Sequence, residues 1–182
     1  MEIVAFEKLD SGQVAACAQI LREAFEPIGA YGDPGQADAE VATFFAQAGR
    51  FALAAIENAE VLGFIGGVDG YSHALELHPL VVAPGRQRAG IGSALVRALE
   101  AEAAARGKLT VYLGTDDENG GTSLFGADIF PDALAKFATI APTTGHPFFF
   151  YRKLGYEPVG VIPDANGFGK PDLLMAKRVA RP

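Results

Sequence analysis

Between residues 11 and 27, Val14, Cys17, Ile20, Leu21 and Phe25 recur at the spacing of one helical stripe, and Ser11 stands where a cap is needed. "IGAYGDPGQ" breaks that pattern with Gly and Pro, and residues 37–49 predict a second short helix closed by Gly49. The period then changes. "RFALAAIENAEVLGFIGGVDG" predicts two strands around a turn at residues 57–59, and "HALELHPLVVAP" continues as a strand. Residues 93–107 form the clearest helix, rich in Ala, Leu and Glu, with Gly107 as its stop. "LTVYLGT" predicts a buried strand, followed by short helices over residues 131–140 and 146–155. Two last strands, in "YEPVGVIP" and "DLLMAKRV", flank "DANGFGKP", whose Asn166-Gly167 pair signals a turn. Strands and helices are mixed without internal repeat or linker. That predicts an α/β (α+β) class, a sheet covered by helices, in a single domain over residues 1–182.

Composition narrows the function. Hydrophobic residues make up 49% and charged ones 20%, as in ordinary globular proteins. No apolar run approaches the roughly 20 residues that cross a bilayer. "MEIVAFEKLD" lacks the basic start and long apolar segment of a signal peptide. A lone Cys17 excludes an intrachain disulfide framework and fits a reducing cytoplasm. The net charge of −7 argues against nucleic acid and anionic membrane as partners. It suits a cationic small molecule, although acidity is common in cytoplasmic proteins.

The stretch "VVAPGRQRAGIGSALV" hands a strand over to a helix through Pro, Gly and Arg. The first turn of a helix has unpaired amides and a partial positive charge. Gly90 and Gly92 would let a ligand approach that backbone, and Arg86 and Arg88 would add charge. Together they suggest a phosphate or pyrophosphate site; the other reading is a surface turn with incidental arginines. A P-loop would need a Lys after the glycines, and a dinucleotide fingerprint would need Gly where Leu95 stands.

Gln87-x-x-Gly90-x-Gly92 resembles the pyrophosphate motif of the GNAT acetyltransferases. "ELHPLVV", "TVYLGTDD", "HPFFFYRKLGYEPVGVIPDANGFGKPD" and "LLMAKRV" resemble segments of the aminoglycoside 6′-N-acetyltransferases, across residues 75–179 almost without gaps. The N-terminal third matches loosely, around "EAFEPIGAYGD" and "EVLGFIGG"; Phe25 stands where that branch often has Trp. The resemblance implies a GNAT fold, a central mixed sheet with splayed strands flanked by helices. It implies acetyl-CoA as co-substrate and acylation of the 6′-amine of an aminoglycoside, conferring resistance. It also implies a homodimer. Cofactor contacts would come from Leu80, Val81, Val82, Gln87, Arg88, Ala89, Gly90, Ile91, Gly92 and Ser93.

Acetyl transfer needs a bound thioester, a neutral amine, an oxyanion donor and a proton for the leaving thiolate. Alternation along a strand predicts Glu76, His78 and Leu80 on one face. Glu76 is the candidate for attracting the ammonium and passing its proton to water, and His78 is a second candidate base. The bland readings are a solvated carboxylate and a hydrogen-bonded core imidazole. By resemblance, the Leu80 N–H would meet the thioester carbonyl and Tyr151 would protonate the thiolate, although Phe148 to Phe150 show that aromatics here also pack a core. Phe25, Glu76, Asp116 and Asp117 are the expected substrate contacts; an exposed acidic turn is the alternative for the two aspartates. "LGTDDENGGT" fails the calcium-loop pattern, because Thr115 and Gly126 would fill its first and twelfth positions, and no zinc spacing occurs, so no metal is expected. Direct attack is preferred, since Cys17 sits far from the motif. Two other readings stay open: another primary amine, such as a polyamine or a protein N-terminus, or a non-catalytic module that binds CoA or drug.

Overall fold

Asp10 rather than Ser11 opens the first helix. Its carboxylate accepts from the Gln13 N–H at 2.9 Å while the Gln13 side chain accepts from the Asp10 N–H at 3.1 Å. This reciprocal capping box satisfies two otherwise orphaned donors and sets Ser11 as the first helical residue. The structure, a computed structural model, describes residues 1–181. Its described residues form two compact units, one of residues 1–111 with 179–181, the other of residues 112–178. Strands and covering helices occur in both, as the α/β (α+β) class requires.

In the first unit four strands run antiparallel in the order β1 (Glu2–Ala5), β2 (Arg50–Glu57), β3 (Glu60–Val68) and β4 (Ala74–Val82). β1 is an addition to the expected elements, because four residues are too few to show a period. β2 and β3 turn at Asn58 and Ala59, both at positive φ (51° and 67°). Two left-handed residues suit the right-handed twist of a hairpin. Helix α1 (Ser11–Phe25) buries Cys17, Ala18, Ile20 and Leu21, and with α2 (Gln36–Ala46) it packs against Phe6, Ala52, Ala54, Phe64 and Val81. α2 stops three residues before Gly49, which turns at φ 80° into β2. Helix α3 (Ile91–Ala105) rests on β2, β3 and β4 through Ile91, Leu95, Val96, Leu99 and Ala103. Burying each large aliphatic side chain contributes about 1.5–3 kcal/mol. Gly107 ends the helix at φ 78°, and Arg106 lies 3.8 Å over the Phe51 ring.

The alternation expected along β4 changes midway. β3 pairs Gly67 with Leu77 but Ile65 with Leu80, so one residue of β3 spans two of β4. Such a bulge shifts the pleat by one position and exchanges the faces beyond it. Val81 and its partner Phe64 lie in the α1–α2 core, whereas Leu77 lies opposite Gly67, whose missing Cβ would meet Phe51 and Leu75. Glu76 and His78 therefore share the α1–α2 face, and Leu80, paired with Ile65, lies on the other. Gly66 is the residue bridged by the bulge. A Cβ there would approach the His78 carbonyl oxygen to 2.3 Å and the Phe44 ring to 2.6 Å, so only glycine fits.

In the second unit the strand order is β5 (Thr110–Asp116), β7 (Asp172–Arg178), β6 (Glu157–Ile162), with β6 and β7 antiparallel. Between β5 and β6 the chain is largely irregular, apart from α4 (Ala133–Ala138) and α5 (Pro147–Lys153). Aromatic edges knit it. Phe137 meets Phe148 with centroids 6.1 Å apart, and Tyr151 meets the fully buried Tyr156 at 5.5 Å. The 163–170 segment turns on Gly167 N–H to Asp164 O and Lys170 N–H to Gly167 O bonds, as the Asn-Gly pair predicts.

Candidate active site

β4 positions the first group of site residues. Glu76 and His78 are partly exposed between the buried Leu75, Leu77 and Pro79. Opposite His78, α2 presents a residue to which the sequence reading gives no role. Glu40 Oε1 lies 3.8 Å from His78 Nε2 and 3.0 Å from Arg50 Nη1. Arg50 also donates to the Thr43 hydroxyl and stands 5.2 Å over the Phe44 ring. The guanidinium fixes the carboxylate, and the carboxylate faces the imidazole. No local pattern could reveal this, because Glu40, Arg50 and His78 meet only through the packing of α2 on the sheet. Beside them Phe25 packs edge-on against Tyr31 at 5.5 Å, and burial, with the Glu40 charge adding, holds the Tyr31 phenol above its ordinary value. Phe25 keeps a partly exposed surface.

The loop after β4 contains the residues expected to bind the anion. Val81 is buried and Val82 partly exposed, while Gln87, Arg88, Ala89 and Gly90 are exposed. Gly90 is the residue before α3, at φ 83°, and a Cβ there would meet nothing within 4 Å. No side chain caps α3, so the amides of its first turn (Ile91, Gly92 and Ser93) have no side-chain acceptor at the N-cap. Ile91 turns its side chain into the core, so it could contribute only backbone. Arg86 is committed to Glu60 at 2.7 Å on the surface. Gln87 lies across the loop, with Nε2 3.5 Å from the Val82 oxygen.

The second unit separates two neighbouring acids that the sequence groups together. Asp116 is exposed at the end of β5, and one of its oxygens accepts from the Asn166 amide. Asp117 is fully buried. Its Oδ1 accepts from the Gly121 N–H at 2.8 Å, and its Oδ2 from the Thr122 N–H at 2.9 Å and the Thr122 hydroxyl at 2.6 Å. The expected substrate role of Asp117 is therefore corrected. Its carboxylate staples the 117–122 turn and presents nothing to a ligand. Asn166, read from sequence only as a turn residue, is the partner of Asp116 instead.

Tyr151 sits on α5, 6% exposed, and burial pushes its phenol well above the ordinary value. It keeps its proton throughout any working pH range, which suits a donor and not a base. Cys17 is fully buried with its thiol pushed up to about 12, so it supplies no thiolate for a covalent acetyl-enzyme. Among the described residues no group of three or more His, Cys, Asp or Glu is placed to hold a metal ion.

Residues 14–122 match the family model described as acetyltransferase (GNAT) family. The chain is similar to a crystal structure of aminoglycoside 6′-N-acetyltransferase complexed with coenzyme A, at 40% identity and TM-score 0.91, covering 100% of this chain and 99% of that one. It is similar to the aminoglycoside 6′-N-acetyltransferase from Enterococcus faecium, at 41% identity and TM-score 0.90, with the same coverage. It is also similar to aminoglycoside 6′-acetyltransferase type Ii, at 37% identity and TM-score 0.75, covering 100% of both chains. Among curated proteins none matches.

Proposed function

The chain belongs to the GNAT acetyltransferase family, and from that premise we propose that it uses acetyl-CoA to acetylate the 6′-amine of aminoglycosides. The observation that carries the reading is the similarity over the full chain, at 37–41% identity, to three aminoglycoside 6′-acetyltransferases. The open, uncapped start of α3 supports a pyrophosphate there, and the partly exposed Glu76 and His78 support capture of an ammonium group.

In this mechanism the neutral amine nitrogen attacks the thioester carbonyl carbon, the nitrogen sheds a proton to Glu76 or His78, and the carbon–sulfur bond breaks as the amide forms. Glu76 draws in the ammonium and relays its proton to water, with His78 as the second base, faced by Glu40. The Leu80 N–H donates to the carbonyl oxygen as negative charge develops on it. Tyr151 donates to the departing sulfur. Its buried phenol favours a hydrogen bond that strengthens as the thiolate forms, and a full transfer requires prompt reprotonation of the ring oxygen. Asp116, with Asn166 beside it, and Phe25 contact the acceptor. The product amide is neutral where the drug carried a positive charge, and that lost charge is the change that would confer resistance. The reading includes one domain over residues 1–182, a homodimer and a cytoplasmic setting. Among the described residues no helix is long and apolar enough to cross a membrane.

A thiol-release assay with acetyl-CoA tests the function. CoA thiol should appear with aminoglycosides that carry a 6′-amine and stay at background with polyamines, N-terminal peptides or no acceptor. Release with a polyamine or peptide alone would move the reading to another amine. Drug binding without release would make the protein a binding module.

A further inference from the structure

His146 has no role in the expected chemistry, yet both of its ring nitrogens are engaged. Nδ1 accepts the Phe148 N–H at 3.1 Å in the first turn of α5. Nε2 lies 3.0 Å from the backbone oxygen of Asp116, to which it can only donate. The two bonds define one form of the ring, neutral with its proton on Nε2. The residue is 8% exposed, and its ring lies over Gly121. A Cβ at Gly121 would come within 2.7 Å of His146 Cβ and Cδ2, so that position is bare because the imidazole occupies the space.

A cap alone does not call for histidine, since Ser, Thr, Asp or Asn would serve. The imidazole adds a second, opposed hydrogen-bonding atom that reaches a carbonyl 30 residues away. One ring thus joins the end of β5, which carries Asp116, to the helix on which Tyr151 follows Phe148 by less than one turn. The buried Asp117 staple holds the intervening turn against the same ring through Gly121. We infer that His146 is a positioning residue that fixes the Asp116 end of β5 and the Tyr151 helix in a single register. The inference rests on the roles proposed above for Asp116 and Tyr151.

Two near-isosteric substitutions cut one bond each. In His146→Asn the amide oxygen replaces Nδ1 and keeps the cap, but the side chain is too short to reach Asp116. In His146→Gln the amide nitrogen replaces Nε2 and keeps the bond to Asp116, but the cap is lost. Steady-state kinetics and amide hydrogen exchange are measured on both. The Asn variant should raise the acceptor KM roughly tenfold with kcat near the parent value, and amides of residues 117–122 should exchange faster while Phe148 stays protected. The Gln variant should lower kcat roughly tenfold with acceptor KM near the parent value, and Phe148 should exchange faster. Gly121→Ala, which displaces the ring, should move both kinetic constants. Identical changes in the Asn and Gln variants, or parent kinetics with only a lowered melting temperature, would overturn the inference. Tyr151→Phe and Asp116→Asn run alongside. If both are kinetically silent, the proposed roles of those two residues fail, and the exchange pattern alone decides the coupling: split between the variants it stands, uniform it falls.

Discussion

β4 and the end of β5 each deliver acidic residues, and they do so by opposite means. In β4 the polar positions alternate with buried Leu and Pro, and Glu76 and His78 remain partly open to solvent on one face of the strand, ahead of the bulge. At the end of β5 two consecutive aspartates diverge. Asp116 stays exposed, while Asp117 turns inward and is consumed by three donors. The strand makes its group available through a period that can be read from sequence. The turn spends half of its charge on holding itself together, because a buried carboxylate is stable only when its lone pairs are filled. Adjacent acids at a strand end are thus not two equivalent contacts.

The largest expected effect falls on β4. Glu76→Gln should reduce kcat/KM for the acceptor by about 10²–10⁴-fold, the usual range for an acid–base group. The loss should shrink at high pH, where more amine is already neutral. A pH–rate profile checks this, and a uniform loss at every pH would leave Glu76 as a docking charge only. On β5 the effect should appear in stability instead. Asp117→Ala strands the Gly121 and Thr122 amides in the interior, and about 3 kcal/mol should be lost in denaturant titration. Unchanged stability with a raised acceptor KM would restore Asp117 to the substrate site.

The loop after β4 offers a smaller effect. Gly90→Val puts a β-branched side chain at φ 83° into space now empty, and acetyl-CoA affinity should fall about tenfold or more by calorimetry. Aminoglycoside binding to the apoprotein should change much less. Unaltered CoA affinity in the folded variant would reject the pyrophosphate assignment.

The smallest effect separates the buried protons of the two units. Cys17 lies beneath the β4 side of the core, raised from 9.0 to about 12, and Tyr151 belongs to the second unit, raised from 10.0. Folded protein holds each proton more tightly than the unfolded chain. Stability is therefore complete below the unfolded values and declines as pH rises above them towards the folded values. Between pH 8 and 10 Cys17 alone should account for about 1 kcal/mol of that decline. Cys17→Ala should flatten the slope from pH 9 upward, and Tyr151→Phe only from pH 10 upward. Parallel slopes in parent and variants would show that neither proton is held by burial.

Much of the first unit was legible because its signals are periodic. The stripe of α1, the β2–β3 turn, the α3 pattern and the Gly90 loop all follow from local spacing. The exchange of faces at His78 and Pro79 was hidden, since a bulge adds a residue without altering composition. Glu40 was hidden because its partners lie on two other elements. In the second unit the strands and short helices were visible, but residues 117–132 and 139–146 have no period, and side-chain-to-backbone bonds such as those at Asp117 and His146 help to order them. "DD" and "HP" in the sequence mark where such bonds begin without saying which residues receive them.

Regiochemistry tests the account at its centre. The protein is incubated with acetyl-CoA and kanamycin-type acceptors, and the products are assigned by NMR. One acetyl group is expected, on the 6′-nitrogen, with no modification at that position in analogues with a 6′-hydroxyl. An acetyl group on any other amine, or no acetylated product while CoA remains bound, would contradict it.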